Sequence, residues 1–286
     1  MGTMEKIEKI FLGFGTVNHI TARFTGPERE SVRTALDAAE EYINTMDDRL
    51  SVFKPDSLVS QINANSGKRE TLVDMDTFSL LRRCREFGEL TGGIFDITTK
   101  PLTDGYESDA RVDYHDIMLD ESSLSVKLRH RGQAIHLGGI AKGYAVDRVA
   151  DILERNGVKD AVINLGGTVR NIGISRKVGI RHPFSPGQIA MSIDSVGEAV
   201  VTSGLYERGC HIFDPVSGTP AVSDLASATV IGNDGAAADV AATACMILGS
   251  VRGAQLVSMM GLEGIFILKT GEILAMDNIR SRIKSA

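Results

Sequence analysis

Leu137-Gly138-Gly139-Ile140-Ala141-Lys142-Gly143-Tyr144 leaves an apolar, strand-like run, turns on two glycines and enters a helix expected over 141–156, which Gly157 closes through a left-handed C-terminal conformation. A strand, a glycine turn and a helix N-terminus in that order form a seat for an anion. The glycines let backbone N–H groups approach it, the helix dipole favours negative charge, and Lys142 adds a full positive one. The spacing is not that of a Walker A loop. Taken alone, the same residues serve equally well as a packing turn.

Outward from this stretch, strands and helices mix without strict βαβ alternation. The expected class is therefore α+β, with mixed sheets and packed helices, one domain over 1–286 built as two interlocked halves with a cleft between them. On the N-terminal side a strand over 10–24 reaches Thr25-Gly26-Pro27. A helix follows on which Val32, Leu36, Ala39, Ile43 and Met46 share a face. A second helix over 76–90 takes Asp76 as its cap and turns Phe78, Leu81, Cys84 and Phe87 inward. The turn-rich loop 51–57 lies between them, and short strands occupy 117–136. On the C-terminal side strands at 161–164 and 177–180 flank a Gly-Gly turn, with others at 190–193, 199–202 and 227–231. A fourth helix over 236–248, a short fifth near Gln255 and a hairpin around Thr270-Gly271 complete the chain.

Three further clusters carry chemistry. Asn164-Leu165-Gly166-Gly167 ends an apolar strand on a second glycine pair, which either lines a ligand crevice with the first or is an unrelated tight turn. Thr202-Ser203-Gly204 is followed by Tyr206-Glu207-Arg208 and His211-Ile212-Phe213-Asp214-Pro215. A histidine three residues before an aspartate in such a loop can serve as an acid–base or hydroxyl-orienting group, or be an ordinary surface histidine. Asp239 and Thr243 stand four apart at the start of the fourth helix and share a face, so a carboxylate and a hydroxyl can meet one hard cation. The plainer reading is a helix-start charge and a core-facing threonine.

Composition narrows the partners. With 43% hydrophobic and 24% charged residues in 286, the chain can bury a large core and offers no case for disorder. A formal net charge of −6 without a Lys/Arg-rich run argues against nucleic acid and anionic membranes. No signal peptide and no bilayer-spanning stretch is expected, and Cys84, Cys210 and Cys245 lack the spacing of a disulfide framework or a zinc site. These readings place the chain in the cytoplasm.

In combination and order, 137–147, 164–167, 202–208, 211–215 and 238–243, joined by 51–63 and 93–102, resemble the ApbE family of FAD:protein FMN transferases over nearly the whole chain. The most specific blocks are LGGIAKGYAVD, the TSG, YER and HIFDP run, and ADxxAT. The resemblance implies FAD as substrate in a cleft, contacted by Ser57, Asp96, Gly138, Gly139, Lys142, Gly166, Gly167, Ser203 and Gly204. It implies Mg²⁺ held by Asp239, Thr243 and a backbone carbonyl such as that of Ala141. A Thr or Ser hydroxyl of an acceptor flavoprotein or electron-transfer subunit would attack the FMN phosphorus and release AMP. Lys142 would stabilise phosphate charge, His211 would take or orient the hydroxyl proton, and Asp214 would align the imidazole or its loop. Hydrolysis of FAD to FMN and AMP, and flavin binding without turnover, are the alternatives. Members usually carry acidic residues where this chain has Thr168 and Leu205, departures that bear on acceptor choice and catalytic competence.

Overall fold

An eight-stranded antiparallel sheet forms the spine of the fold. Its strands are β1 (Met4–Gly13), β2 (Thr16–Thr25), β3 (Ala161–Leu165), β4 (Thr168–Ile172), β5 (Ala199–Gly204), β6 (Leu225–Gly232), β7 (Glu263–Leu268) and β8 (Ile273–Ala275), adjacent in that order. The structure, a computed structural model, describes residues 3–103, 112–205 and 212–285. The register of β2 on β3, from Asn18 opposite Leu165 to Ala22 opposite Ala161, ties the first strands of the chain to its second half.

Among the described residues six α-helices cover the sheet or extend beside it: α1 (Arg29–Leu50), α2 (Leu58–Ala64), α3 (Met75–Leu90), the single-turn α4 (Lys100–Thr103), α5 (Ala141–Arg155) and α6 (Gly235–Met259). Apolar periodicity explains α1, whose Val32, Leu36, Ala39, Ile43 and Met46 are all buried. In α3 the buried face holds Phe78, Leu81, Cys84 and Phe87 as the spacing predicts, but the cap is Asp74. Its Oδ1 accepts the N–H groups of Asp76 and Thr77 at 3.0 and 3.1 Å. Asp76 instead accepts the hydroxyls of Tyr42, at 2.8 Å, and Tyr144, at 2.5 Å, joining α1, α3 and α5.

Smaller sheets flank the spine. One joins Thr71–Leu72, Ser125–Leu128 and Ile117–Asp120, another joins Ile283–Ser285, Ile189–Ser195 and Arg176–Arg181, and Phe213–Asp214 pairs with Thr219–Pro220. The second of these buries Val178, Ile180, Met191 and Ile193 against Val200, Ile231, Ile265 and Ile267 of the spine. Helices bury the opposite face, so β6 is covered on both sides and reads as the unbroken run Leu225-Ala226-Ser227-Ala228-Thr229-Val230-Ile231.

Three expectations need correction. The strand over 10–24 is two strands, joined at Phe14 and Gly15 with φ of 54° and 70°. The Gly166-Gly167 turn leads into β4, ahead of the Arg176–Arg181 strand. The run Gly235–Met259 is long and apolar enough to cross a membrane by length and composition, although none was read from the sequence. It is a core helix here, interrupted at Gly249 (φ 79°, ψ 178°), where Asp224 accepts from Ser250 N at 2.9 Å and restarts it. That break separates the two C-terminal helices expected from the sequence.

α5 and α6 cross with their backbones in contact. A Cβ added to Gly143 would lie 2.1 Å from the carbonyl oxygen of Gly235, and one added to Gly235 would lie 2.5 Å from that of Gly143. Gly143→Ala must push the helices apart and is expected to cost about 3 kcal/mol, read as a lower urea midpoint; a wild-type midpoint would show that the crossing yields easily.

Candidate active site

The N-terminus of α5 has no side-chain cap of its own. Ile140 and Ala141 donate their N–H groups back to the Leu137 carbonyl at 3.2 and 3.0 Å, which tightens the glycine turn. Gly143 N, two residues further on, donates to Oδ2 of Asp239 at 2.9 Å, a carboxylate supplied by α6. The favour is returned at the start of α6, where Gly235 N donates to Oδ2 of Asp147 on α5 at 2.8 Å. Oδ1 of Asp147 accepts from Arg170 Nη1 at 2.6 Å, and that guanidinium also donates to the carbonyl of Asn233 at 2.9 Å.

This crossing forms one wall of a cleft of about 370 Å³. Gly138, Gly139 and Lys142 enter it from the α5 turn, Asp239 and Thr243 from α6, Ser203 and Gly204 from β5, Gly166 from the β3–β4 turn, and Asp96 from the 94–99 loop. Nine of the residues singled out in the sequence thus share one cavity. Gly139 packs tightly: a Cβ on it would lie 3.1 Å from Oγ1 of Thr243 and 3.3 Å from the Phe95 ring, so a larger residue would require those groups to give by a few tenths of an ångström. That contact sets Gly139 against Thr243. Ala141 lines an adjoining, largely apolar cavity of about 660 Å³ with Phe14, Leu50, Val52 and Leu137.

Asp239 is 2% exposed, and burial raises its carboxyl pKa; the charge of Lys142 and the Gly143 N–H offset part of that cost. Among the described residues the Gly143 N–H is the one protein hydrogen bond this carboxylate accepts. An ionised oxygen facing a cleft beside a threonine hydroxyl, with so few protein donors, suits a hard cation. Asp239 lies in the second turn of α6, because the helix begins at Gly235 under an Asp234 cap.

Other predicted residues play different parts. Oγ of Ser57 accepts from Ser60 N at 2.9 Å as the cap of α2; Ser57 is 2% exposed and lines neither cavity. Asp96 does line the cleft, but Oδ1 accepts from Thr98 N and Oγ1, both at 2.7 Å, and Oδ2 from Tyr114 N at 2.9 Å. Its carboxylate organises the 94–99 loop, and burial raises its pKa. Gly167 is not part of the cleft lining; its N–H is held by Oδ1 of Asn164 at 2.9 Å. Asp214 accepts from Val216 N at 2.8 Å and so shapes the loop whose Phe213 and Pro215 line the cleft. His211 lies outside the described residues. Thr168 is 1% exposed at the start of β4, and Leu205 is 36% exposed just beyond β5.

Sequence reasoning missed His136, which lines both cavities and whose Nδ1 accepts from Gly138 N at 3.2 Å. A titratable residue immediately before the Leu137 turn was the available signal. It also missed Gly15 and Thr16, hidden with their hairpin, and Arg181, set beside an irregularity in strand register that re-aims a side chain.

Fold and cleft together define an α+β protein in which a glycine turn at a helix N-terminus, Lys142, Asp239 and Thr243 line one cleft. The sequence profile of the ApbE family matches residues 14–266, and the chain belongs to that family. It is 32% identical over 268 residues to the FAD:protein FMN transferase of Klebsiella pneumoniae, covering 85% of this chain and 84% of that one. The Treponema pallidum FAD:protein FMN transferase is 28% identical, with 96% and 87% covered. The crystal structure of the ApbE protein of Thermotoga maritima superposes with a TM-score of 0.85 at 27% identity, over 98% of this chain and all (100%) of that one.

Burial pushes the Asp147 carboxyl up to about 6, with Arg170 and the Gly235 N–H offsetting only part of the cost. The folded chain therefore keeps a proton that the unfolded chain has lost. The resulting stabilisation is complete below the ordinary aspartate range and is lost as pH rises through about 6. Asp147→Asn should remove about 2 kcal/mol of pH-dependent change in unfolding free energy between pH 4 and 7, measured by denaturant titration across that range; an unchanged slope would mean the group titrates normally.

Proposed function

We propose that this protein transfers the FMN moiety of FAD to a Thr or Ser hydroxyl of an acceptor protein and releases AMP. The observation that carries the reading is the meeting of Lys142, Asp239 and Thr243 at one glycine turn, in a chain of the ApbE family. Relatives bearing the name FAD:protein FMN transferase align along most of its length.

Magnesium fits the donor set. Asp239 and Thr243 offer hard oxygens, Gly139 brings the glycine turn against Thr243, and no cluster of three His, Cys, Asp or Glu side chains occurs among the described residues. The remaining ligands would then come from backbone, substrate phosphate and water, as suits Mg²⁺. Bound there, the ion would draw charge from the phosphate oxygens and make the phosphorus more electrophilic. Lys142 and the N-terminus of α5 would hold the pyrophosphate and stabilise negative charge as it builds.

The acceptor oxygen forms a new bond to the FMN phosphorus while the bond to the bridging oxygen breaks, and AMP leaves with that oxygen. The hydroxyl proton is assigned to His211 on its place in the 202–215 run that the family shares, with Asp214 shaping the adjacent turn. Phe213 and Pro215 would wall the cleft where the acceptor enters. The chemistry requires an exposed Thr or Ser hydroxyl on the acceptor, for which an acceptor flavoprotein or electron-transfer subunit is the class the family resemblance suggests.

The test is purified protein with FAD, with Mg²⁺ or EDTA, and with an acceptor domain, following AMP release and acceptor mass. A metal-dependent mass gain of one FMN supports transfer; AMP with free FMN would make the protein a hydrolase, and intact bound FAD would make it a flavin carrier. Asp239→Asn should lower Mg²⁺-dependent AMP release on the order of a hundredfold or more; wild-type turnover in that variant would remove Asp239 from the cation site.

A further inference from the structure

The two helices that cross at the cleft carry the same device in opposite senses. Gly143 and Asp147 stand four apart on α5, Gly235 and Asp239 four apart on α6, and each glycine N–H is held by the aspartate of the other helix. Asp239 turns its remaining capacity to the cleft, whereas Asp147 turns away from it, to Arg170. Arg170 in turn holds the Asn233 carbonyl, and Arg83 holds Asp234, so the chain entering α6 is pinned at three successive points from Asn233 to Gly235.

We propose that Asp147, together with Arg170, is a positioning residue for the cation site, acting through α6 to set where Asp239 meets the N-terminus of α5. The inference rests on the reading of Asp239 as a cation ligand. The backbones touch at Gly143 and Gly235, leaving no compliant side chain to absorb a shift, so a change at the Asp147–Gly235 bond moves Asp239 one turn further along the same helix. The Asp147–Arg170 pair is a costly way to gain stability, because burial outweighs what the partners return. Such pairs are better explained by the register they impose.

The experiment is calorimetric titration of Mg²⁺ into protein preloaded with FAD, without acceptor, for wild type, Asp239→Asn, Asp147→Ala, Asp147→Asn, Arg170→Met and Asp76→Asn. Asp147→Ala should weaken Mg²⁺ binding about tenfold while FAD affinity in EDTA stays that of wild type. Asp147→Asn keeps an oxygen for Gly235 N and should be milder, and Arg170→Met should match it; both remain informative if the alanine variant does not fold. Asp76→Asn loosens the hydroxyl network of Tyr42 and Tyr144, which joins α1, α3 and α5 and leaves the Asp147–Gly235 and Asp239–Gly143 bonds in place, and should lower thermal stability without changing Mg²⁺ affinity. Wild-type Mg²⁺ affinity in the Asp147 and Arg170 variants would overturn the proposal, as would an equal loss in Asp76→Asn, which would reveal general destabilisation. Failure of wild type to bind Mg²⁺, or undiminished binding in Asp239→Asn, would instead bring down the cation reading and this inference with it.

Discussion

Two glycines permit the contact on which the site depends. Helices in globular proteins usually cross 8–10 Å apart because side chains keep their backbones separated. Where α5 passes α6, Gly143 and Gly235 remove those side chains, and the carbonyl of each occupies the space a Cβ would need on the other. At that approach the free N–H groups at the start of each helix come within reach of the neighbour's carboxylates, and Asp239 and Asp147 satisfy them. The N-terminus of α5 is thereby held by a carboxylate that must also face the cleft. The close crossing is what makes those two demands compatible.

The sheet supplies the rigidity that the crossing needs. β6 is buried on both faces, with the 176–195 hairpin and the C-terminal residues on one side and helices on the other. α6 follows it directly through Asn233 and Asp234, and a helix covered this fully has little need of a polar face. This accounts for its membrane-like composition: 61% of its most apolar window is buried inside the protein. Gly249 breaks the helix and Asp224 restarts it, so the segment carrying Asp239 and Thr243 is independent of the direction taken afterwards.

Much of this was legible in the sequence, for local reasons. The inward faces of α1 and α3 follow from apolar spacing, the Gly138-Gly139 turn before α5 follows from a strand end meeting a glycine pair, and the pairing of Asp239 with Thr243 follows from helical geometry. The hairpin at Phe14 and Gly15 was not legible, because a non-glycine residue takes the left-handed conformation there and the strand formers run on without a polar break. Asp74 and Asp76 both suit a helix start, and only the tyrosines of α1 and α5 show which is spared from capping. Ser57 was carried in by the family resemblance of its block, while its own chemistry, a serine three residues ahead of a helical N–H, is that of a cap. The partnership of Asp147 with Gly235 spans 88 residues of chain, and no local pattern reports a contact of that range.

The protein's own part of the proposed cation site is incomplete in a way that matters for chemistry. A buried carboxylate with several protein donors would be stable without a ligand and would gain little from meeting one. Asp239 has the Gly143 N–H and the nearby charge of Lys142, and burial still leaves its ionised form costly. Under the proposed function, a divalent ion arriving with phosphate oxygens would relieve that cost, and cation and dinucleotide would each improve the site for the other. The same incompleteness would limit idle chemistry: a lone aspartate and a threonine are poor ligands for a stray metal, and under the proposed function the electrophilic assembly would form only when its phosphate is present. Preorganisation here resides in the helix crossing, and the substrate completes the site.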